Sequence, residues 1–300
     1  MANCISCGRE LRPSLFGSRG NVCRDCRSNA IDMTTSGTVA TPTPQPRTIV
    51  RRYPPVTTAL VGINAAVFVL MLLAGVPLEN PTIAQLIKWG ANWGPLSLGT
   101  QPWRILTSNY LHIGIVHIGL NMWCLWYLGI LAERVFDRWT YVLTYTACGI
   151  AGSLASLWWH PLVIGAGASG AIFGLAGALI TALYLGKLPI PKEAMRGTMK
   201  SLVAFAGYNL LFGAVGANID NSAHIGGLLA GLALGAALAR HLTDSAEVRA
   251  RWNWGVFIAT AVILFMLFGS LRHTGQTAPP LPSASLHLVR RPGGVESSIF

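Results

Sequence analysis

The sequence predicts an all-α polytopic membrane protein, and three observations carry that prediction. First, 52% of the 300 residues are hydrophobic and only 11% are charged, against about 25% charged in ordinary globular domains. Second, the apolar runs are too long and too numerous to pack as one soluble core. Third, lysine and arginine alternate between the segments that join those runs, as they do in proteins that cross a membrane repeatedly.

Residues 1–27 are expected to form a small separate module. Its four cysteines form two Cys-x-x-Cys pairs separated by fifteen residues, and they are Cys4, Cys7, Cys23 and Cys26. Four thiolates satisfy tetrahedral Zn²⁺, so we predict a structural zinc site that is similar to a zinc ribbon. Two redox or disulfide pairs are the alternative. The first ten residues contain no apolar signal-peptide core, which predicts a cytoplasmic N-terminus and disfavours disulfides.

Residues 28–56 are interpreted as a linker, because the Pro- and Thr-rich stretch 41–46 favours neither a helix nor a central strand. Seven membrane spans are expected after it. We place them, with ends uncertain by several residues, near 57–75, 105–130, 139–158, 169–186, 201–217, 223–239 and 254–271. The loop at 76–104 is rich in Trp, Gly and Pro, which suits the membrane interface. Residues 272–300 show no periodic pattern and are predicted to be disordered.

The positions of lysine and arginine predict the orientation. With the N-terminus inside, the inner segments contain eight such residues before residue 57, two at 131–138, four at 187–200 and three at 240–253. Together these are 17 of the 22 in the chain. The bias favours an inner N-terminus and an outer C-terminus. It also accounts for the net charge of +11 without a nucleic-acid partner.

Ser169 and His224 are the first candidate catalytic residues. In this topology the fourth and sixth spans both enter the membrane from the outer side, so both residues lie in the first turn of their helices at the same depth. Serine becomes a competent nucleophile when a nearby base accepts its proton, and histidine has a suitable pKa. The alternative is that Ser169 bonds only to its own backbone, but a histidine inside a membrane is functional by default.

Glycines at four-residue spacing would allow the two spans to approach closely. Gly170 and Gly174 lie on the fourth span, and Gly227, Gly231 and Gly235 lie on the sixth. Ridges of small residues at this spacing let helix backbones come close together in lipid. Helix packing alone would explain them equally well.

The second span adds two polar side chains that share a helix face, His117 and Asn121. They are candidate donors to a developing oxyanion, although hydrogen bonding between helices is the alternative. His112 is expected to have a structural role. Phe173, one turn after Ser169, is a candidate to pack on the imidazole of His224, although core packing alone is an equally ordinary explanation.

An acidic residue to orient His224 is not evident in the sequence. Asp220 precedes the sixth span, while Glu133 and Asp137 fall on the inner side of the membrane. The simpler interpretation is therefore a serine–histidine dyad without a carboxylate.

These residues together resemble the rhomboid intramembrane serine proteases. The family's Gly-x-Ser-Gly motif in the fourth span matches residues 167–170, which include Gly167. Its Ala-His-x-x-Gly motif in the sixth span matches residues 223–227, with the last glycine at Gly227. Its His-x-x-x-Asn motif in the second span matches residues 117–121, and its Trp-Arg pair in the first loop matches Trp103 and Arg104. The resemblance covers roughly residues 57–240.

The resemblance implies a six-helix bundle with a water-filled cavity, followed here by an added seventh helix. It implies Ser169 as the nucleophile and His224 as the base, with the Ser169 amide, His117 and Asn121 stabilising the oxyanion. The aromatic residue that stacks on the histidine is often tyrosine in the family and is Phe173 here.

The resulting expectation is a serine endopeptidase of the cell or plasma membrane that needs no cofactor for catalysis. Its partners would be transmembrane protein substrates and the lipid bilayer. The alternative is a non-proteolytic relative that chaperones or routes membrane proteins. Such relatives typically lack the serine or the histidine, and both are present here. A transporter is disfavoured because the polar residues cluster at one depth.

Overall fold

The computed structural model describes Cys7, residues 53–215 and residues 219–277. The chain divides into two compact units, Met1–Arg52 and Tyr53–Phe300. The long helices all belong to the second unit.

Several sequence predictions lie outside the described residues. Three of the four predicted zinc ligands are among them, namely Cys4, Cys23 and Cys26. Cys7 is described and is exposed. Most of the linker at 28–56 and most of the tail at 272–300 also lie outside, so these assignments stay predictions.

Ten α-helices and one 3₁₀ turn make up the described part of the second unit. The helices in chain order are α1 (Pro55–Leu73), α2 (Ile83–Trp89), α3 (Gly94–Ser97), α4 (Arg104–Thr107), α5 (Ile115–Val135), α6 (Arg138–Trp159), α7 (Ser169–Leu185), α8 (Lys192–Val215), α9 (Asn221–Ala239) and α10 (Ala246–Thr277). The 3₁₀ turn, Ser108–Tyr110, follows α4. Over these residues the structure has no β-strand and one isolated bridge, between Asn92 and Gly165.

The all-α membrane architecture predicted from the sequence is confirmed. Five of the seven long helices, α1, α5, α8, α9 and α10, are long and apolar enough to cross a membrane by length and composition. The helix α7 is apolar but has only 17 residues, and α6 has 22 residues. Backbone groups of a helix are bonded within the segment, which is why helices suit such an environment.

Several predicted spans have different ends in the structure, and the fifth, expected from residue 201, begins at Lys192 in α8. The second span was expected to begin near residue 105, but α5 begins at Ile115 and residues 104–110 form the short helix α4 and the 3₁₀ turn. Gly114 precedes α5 with φ 84°, a left-handed backbone that interrupts a helix. The last helix is longer than the predicted span 254–271 and continues to Thr277, into the segment predicted to be disordered.

The helix α7 lies at the centre of the bundle and contacts α5, α6, α8 and α9. Most of its side chains are buried. Its closest neighbour is α9, because a Cβ added at Gly227 would collide with the carbonyl of Gly170, and one added at Gly231 would collide with the carbonyl of Gly174. The two glycine rows therefore bring the two backbones together, as small residues do between membrane helices.

The seventh long helix, α10, makes side-chain hydrogen bonds to the bundle near its N-terminal end and apolar contacts further along, through Leu264, Phe268 and Leu271. Asn253 Nδ2 donates to Thr140 Oγ1 of α6 at 2.9 Å, and Trp252 Nε1 donates to the carbonyl of Ala237 in α9 at 2.9 Å. Of the residues in its most apolar 18-residue stretch, only 6% are buried. This helix thus presents most of its surface to the surroundings.

Candidate active site

The segment in front of α7 is held by backbone hydrogen bonds on two sides. Asn92 and Gly165 exchange two N–H···O=C bonds of 2.8 Å, and the amide of Gly167 donates to the carbonyl of Ser108 at 2.9 Å. These bonds fix the approach to Ser169, which is the first residue of α7. The serine is thereby presented at a helix N-terminus rather than within a mobile loop.

Gly167 has a conformation that no other residue adopts without strain. Its φ is +135°, and a Cβ at this position would lie 2.8 Å from Cε1 and 2.9 Å from Nε2 of His117. The same Cβ would lie 3.8 Å from Ser169 Oγ. The missing side chain therefore leaves the space in which the His117 ring approaches the serine.

Ser169 and His224 lie within hydrogen-bond distance. Ser169 Oγ is 2.9 Å from His224 Nε2, which is the contact that a nucleophile and its general base require. His224 is 8% exposed and belongs to the first turn of α9. Asp220 caps that turn by accepting from the amides of Ser222 and Ala223 at 3.1 and 3.2 Å.

Phe173 packs face to face on the candidate base. Its ring and the imidazole of His224 have centroids 4.3 Å apart and planes 12° apart. On its other side Phe173 contacts Phe205 of α8, with ring centroids 5.6 Å apart. Since the phenyl ring is buried and fixed between two helices, it limits rotation of the imidazole.

His117 and Asn121 both line the cavity beside Ser169. The Ile113 amide donates to His117 Nδ1 at 3.2 Å, so the neutral ring carries its proton on Nε2, the nitrogen near Ser169. Asn121 Nδ2 donates to the carbonyl of His117 at 3.0 Å, which occupies one of its two N–H groups. Both side chains thus keep an N–H group that is available to donate near the N-terminus of α7.

The first turn of α7 adds backbone donors at the same place. The first N–H groups of any α-helix have no intrahelical acceptor and lie at the positive end of the helix dipole. Because Ser169 is the first residue of α7, negative charge that develops next to its side chain would be stabilised there.

A cavity of about 480 Å³ connects these residues. Its polar lining includes Ser108, Asn109 and Ser153 in addition to the candidate catalytic groups. Polar groups of this kind bind water, which a hydrolytic reaction needs within an otherwise apolar bundle.

The Trp-Arg pair of the first loop lies outside the cavity lining and holds parts of that loop together. Arg104 is 4% exposed and donates from one amino group to the carbonyls of Ile87 and Ala91 at 2.6 and 3.1 Å. Its guanidinium also lies 4.7 Å from the ring centre of Trp103. Burial lowers the pKa of the guanidinium, and the hydrogen bonds replace the water that it loses.

His112 lies beneath the site. It is fully buried, and its ring centre lies 5.2 Å from that of His117 in an edge-to-face arrangement. The structural role expected for His112 stays a prediction.

The residue that contacts the second ring nitrogen of His224, Asn221, was not singled out in the sequence. Asn221 Oδ1 lies 3.3 Å from Nδ1 of His224. A usable signal was present, because a polar residue three positions before a histidine shares its helix face.

Glu133, which was predicted from the sequence to lie on the inner side of the membrane, lies away from the site. It accepts from the amide and hydroxyl of Thr57 at 2.6 and 2.7 Å, at the other end of α5 from His117.

Comparison with known proteins gives consistent matches. A family model described as Rhomboid domain matches residues 99–241. The chain is 34% identical over 232 residues to Rhomboid protease GluP of Bacillus subtilis (strain 168), which covers 77% of this chain and 44% of that protein. It is 36% identical over 166 residues to RHOMBOID-like protein 7 of Arabidopsis thaliana, covering 55% and 52%.

A further relative is matched over most of its own length. The chain is 32% identical over 197 residues to Rhomboid protease AarA of Providencia stuartii, covering 58% of this chain and 69% of that protein. By contrast, it spans about half the length of the first two relatives.

Proposed function

The chain belongs to the rhomboid family, and from that premise we propose that it is an intramembrane serine endopeptidase. Its substrates would be membrane proteins, cleaved in or beside their transmembrane segments. The observation that carries the proposal is the 2.9 Å contact between Ser169 Oγ and His224 Nε2. The contact lies in a cavity that has polar groups in its lining. Three of the helices around it, α5, α8 and α9, are long and apolar enough to cross a membrane.

The first chemical step is acylation of the serine. His224 Nε2 accepts the hydroxyl proton as Ser169 Oγ bonds to the carbonyl carbon of the substrate. The resulting oxyanion faces the Ser169 amide together with the N–H groups of His117 and Asn121. When the intermediate collapses, the peptide C–N bond breaks and the imidazolium returns its proton to the leaving amine.

The second step is hydrolysis of the acyl-enzyme. A water molecule in the cavity loses a proton to His224 as its oxygen bonds to the acyl carbon, and the ester bond to Ser169 then breaks. The proton returns to the serine oxygen and regenerates the dyad. A carboxylic acid product leaves, so atoms and protons balance over the two steps.

We further propose that the dyad faces the outer side of a cell or plasma membrane. The support is the distribution of lysine and arginine, of which 17 of 22 fall in segments that an inner N-terminus places inside. Ser169 and His224 lie at the N-terminal ends of α7 and α9, which this orientation puts at the outer end. Lateral diffusion in the bilayer would bring substrate segments to the cavity.

The cysteine module is proposed to bind one structural zinc ion through Cys4, Cys7, Cys23 and Cys26. Four thiolates fill the coordination shell, so this ion would have no part in peptide cleavage. Elemental analysis of protein purified without chelators is expected to give about one zinc per chain, from the four-ligand stoichiometry. A Cys4→Ser, Cys26→Ser double variant that retains that zinc content would contradict the assignment.

Cleavage of a single-span test substrate in liposomes tests the proposed activity. Ser169→Ala is expected to abolish cleavage, whereas Ser201→Ala is expected to retain it. Ser201 is the matched control because it is exposed on α8 and its hydroxyl donates only to the carbonyl of Gly197 in its own helix. Undiminished cleavage by Ser169→Ala would overturn the proposal. Loss of cleavage in both variants would assign the effect to folding rather than to the nucleophile.

A further inference from the structure

We propose that Asn221 is a positioning residue for the base, so that Ser169, His224 and Asn221 act as a hydrogen-bonded series. The inference rests on the proposed function and adds a third member to the dyad. The Asn221 end of this series is fixed by α8, a different helix from the two that carry the serine and the histidine.

The first support is the contact between Asn221 and the imidazole. Asn221 Oδ1 is 3.3 Å from His224 Nδ1, while Ser169 Oγ is 2.9 Å from Nε2 on the opposite edge of the ring. An amide oxygen only accepts hydrogen bonds, so Nδ1 must carry the proton. The lone pair of a neutral imidazole then lies on Nε2 and faces the serine hydroxyl.

The second support is that the amide itself cannot turn over freely. Asn221 Nδ2 donates to the carbonyl of Leu210 in α8 at 2.9 Å. In the reversed orientation an amide oxygen would face the Leu210 carbonyl oxygen, and an N–H group would face Nδ1–H. Both contacts would be repulsive, so the Leu210 carbonyl selects the orientation that presents Oδ1 to His224.

The third support is the space that α8 leaves for this amide. Gly213 lies opposite it, and a Cβ at Gly213 would collide with Asn221 Oδ1. Gly213 is one of the few buried residues of α8, whose most apolar window is only 17% buried. The close approach of α8 at this point therefore encloses the hydrogen bond between Asn221 and the histidine.

The adjacent carboxylate of Asp220 is hydrogen-bonded to the first turn of α9 rather than to the imidazole. Asp220 Oδ1 accepts from the amides of Ser222 and Ala223 and from the hydroxyl of Ser222, and so caps α9. Asn221 is the hydrogen-bond partner that the described residues provide for His224 Nδ1. A neutral acceptor fixes the tautomer without placing a second buried charge beside the base.

Two variants of the full-length protein in liposomes separate positioning from a structural role. Asn221→Ala removes both hydrogen bonds of the side chain. Asn221→Asp keeps an acceptor for His224 Nδ1 but has no N–H to donate to Leu210. Measured with each are kcat, KM and the pH dependence of kcat/KM for a single-span test substrate.

Asn221→Ala is expected to lower kcat about 10- to 100-fold, as loss of an orienting partner commonly does, with little change in KM. Asn221→Asp is expected to recover most of kcat. Its carboxylate stabilises the imidazolium, so the acidic limb of kcat/KM should move to higher pH. Asp220 and His117 are the other titratable groups that interact with His224, and both are unchanged in each variant.

A purely structural role gives a different pattern. If Asn221 only anchored α8 through Leu210, Asn221→Asp would be as impaired as Asn221→Ala and its acidic limb would stay in place. That result, or a wild-type kcat in Asn221→Ala, would overturn the inference. If Asn221→Ala does not fold, the two roles are still distinguished by comparing the acidic limb of kcat/KM in Asn221→Asp with that of the wild type. Ser169→Ala is assayed alongside, because cleavage by that variant would refute the proposed function instead.

Discussion

The α7–α9 pair and the last helix, α10, are packed by opposite means. Glycines bring α7 and α9 so close that a Cβ at Gly227 or Gly231 would collide with backbone carbonyls. The helix α10 is held near one end by two side-chain hydrogen bonds, from Trp252 and Asn253. An apolar groove of about 520 Å³ remains between α10 and α6.

The contrast shows where the fold requires a precise separation between helix backbones. Ser169 and His224 lie on different helices, and their 2.9 Å contact requires the α7 and α9 backbones to lie at a fixed, short separation. No residue of α10 lines the candidate active site. Close packing is therefore concentrated where two helices must share one reaction centre, and α10 tolerates a looser fit.

The largest expected effect comes from adding a methyl group on α9. Gly231→Ala places a Cβ against the backbone of Gly174, and overpacking of this kind typically destabilises by about 1–3 kcal/mol. We expect a lower thermal midpoint in detergent and a loss of cleavage, because α9 and His224 must shift away from α7. Gly255→Ala on α10 is the matched control, since nothing lies within 4 Å of a Cβ at that position.

The control is expected to keep the wild-type midpoint or raise it slightly, because alanine is favoured over glycine within a helix by about 0.5–1 kcal/mol. Equal midpoints for the Gly231 and Gly255 variants would contradict the comparison between the two regions.

A smaller effect is expected from releasing α10. Asn253→Ala removes the hydrogen bond to Thr140, and a hydrogen bond of this kind typically contributes about 0.5–1.5 kcal/mol. Thr140 Oγ1 still donates to Asp137 Oδ2, so no polar group of α6 loses its only partner. Thermal unfolding should show a small decrease, and kcat and KM should match wild type. A large decrease in kcat with an unchanged midpoint would show that α10 takes part in catalysis.

The sequence predicted the helices from local patterns, and it predicted a common depth for the two candidate dyad residues from the topology. Apolar runs identify membrane helices, and the placement of Ser169 and His224 follows from the alternation of spans. The predicted start of the second span was wrong, because hydropathy alone does not separate the segment 104–114, which contains α4 and the 3₁₀ turn, from the helix α5 that follows. The boundary is marked by the left-handed backbone of Gly114, which is visible only in the structure.

Contacts between distant segments could not be predicted in this way. Asn221 is three residues before His224, yet its orientation depends on the Leu210 carbonyl of another helix. Likewise, Arg104 was singled out only by a family resemblance that assigned it no role, and its bonds to Ile87 and Ala91 join parts of one loop. Such partners are set by the tertiary arrangement rather than by residue spacing.

Covalent labelling with a fluorophosphonate tests the central claim most directly, because it reports activation of Ser169 without any assumption about the substrate. Mass spectrometry of the labelled protein should locate the probe on Ser169. Labelling should be absent in Ser169→Ala and strongly slowed in His224→Ala, while His273→Ala, an exposed histidine of α10, should label at the wild-type rate. Labelling of Ser169 that proceeds at the wild-type rate in folded His224→Ala would contradict the claim that His224 is its base.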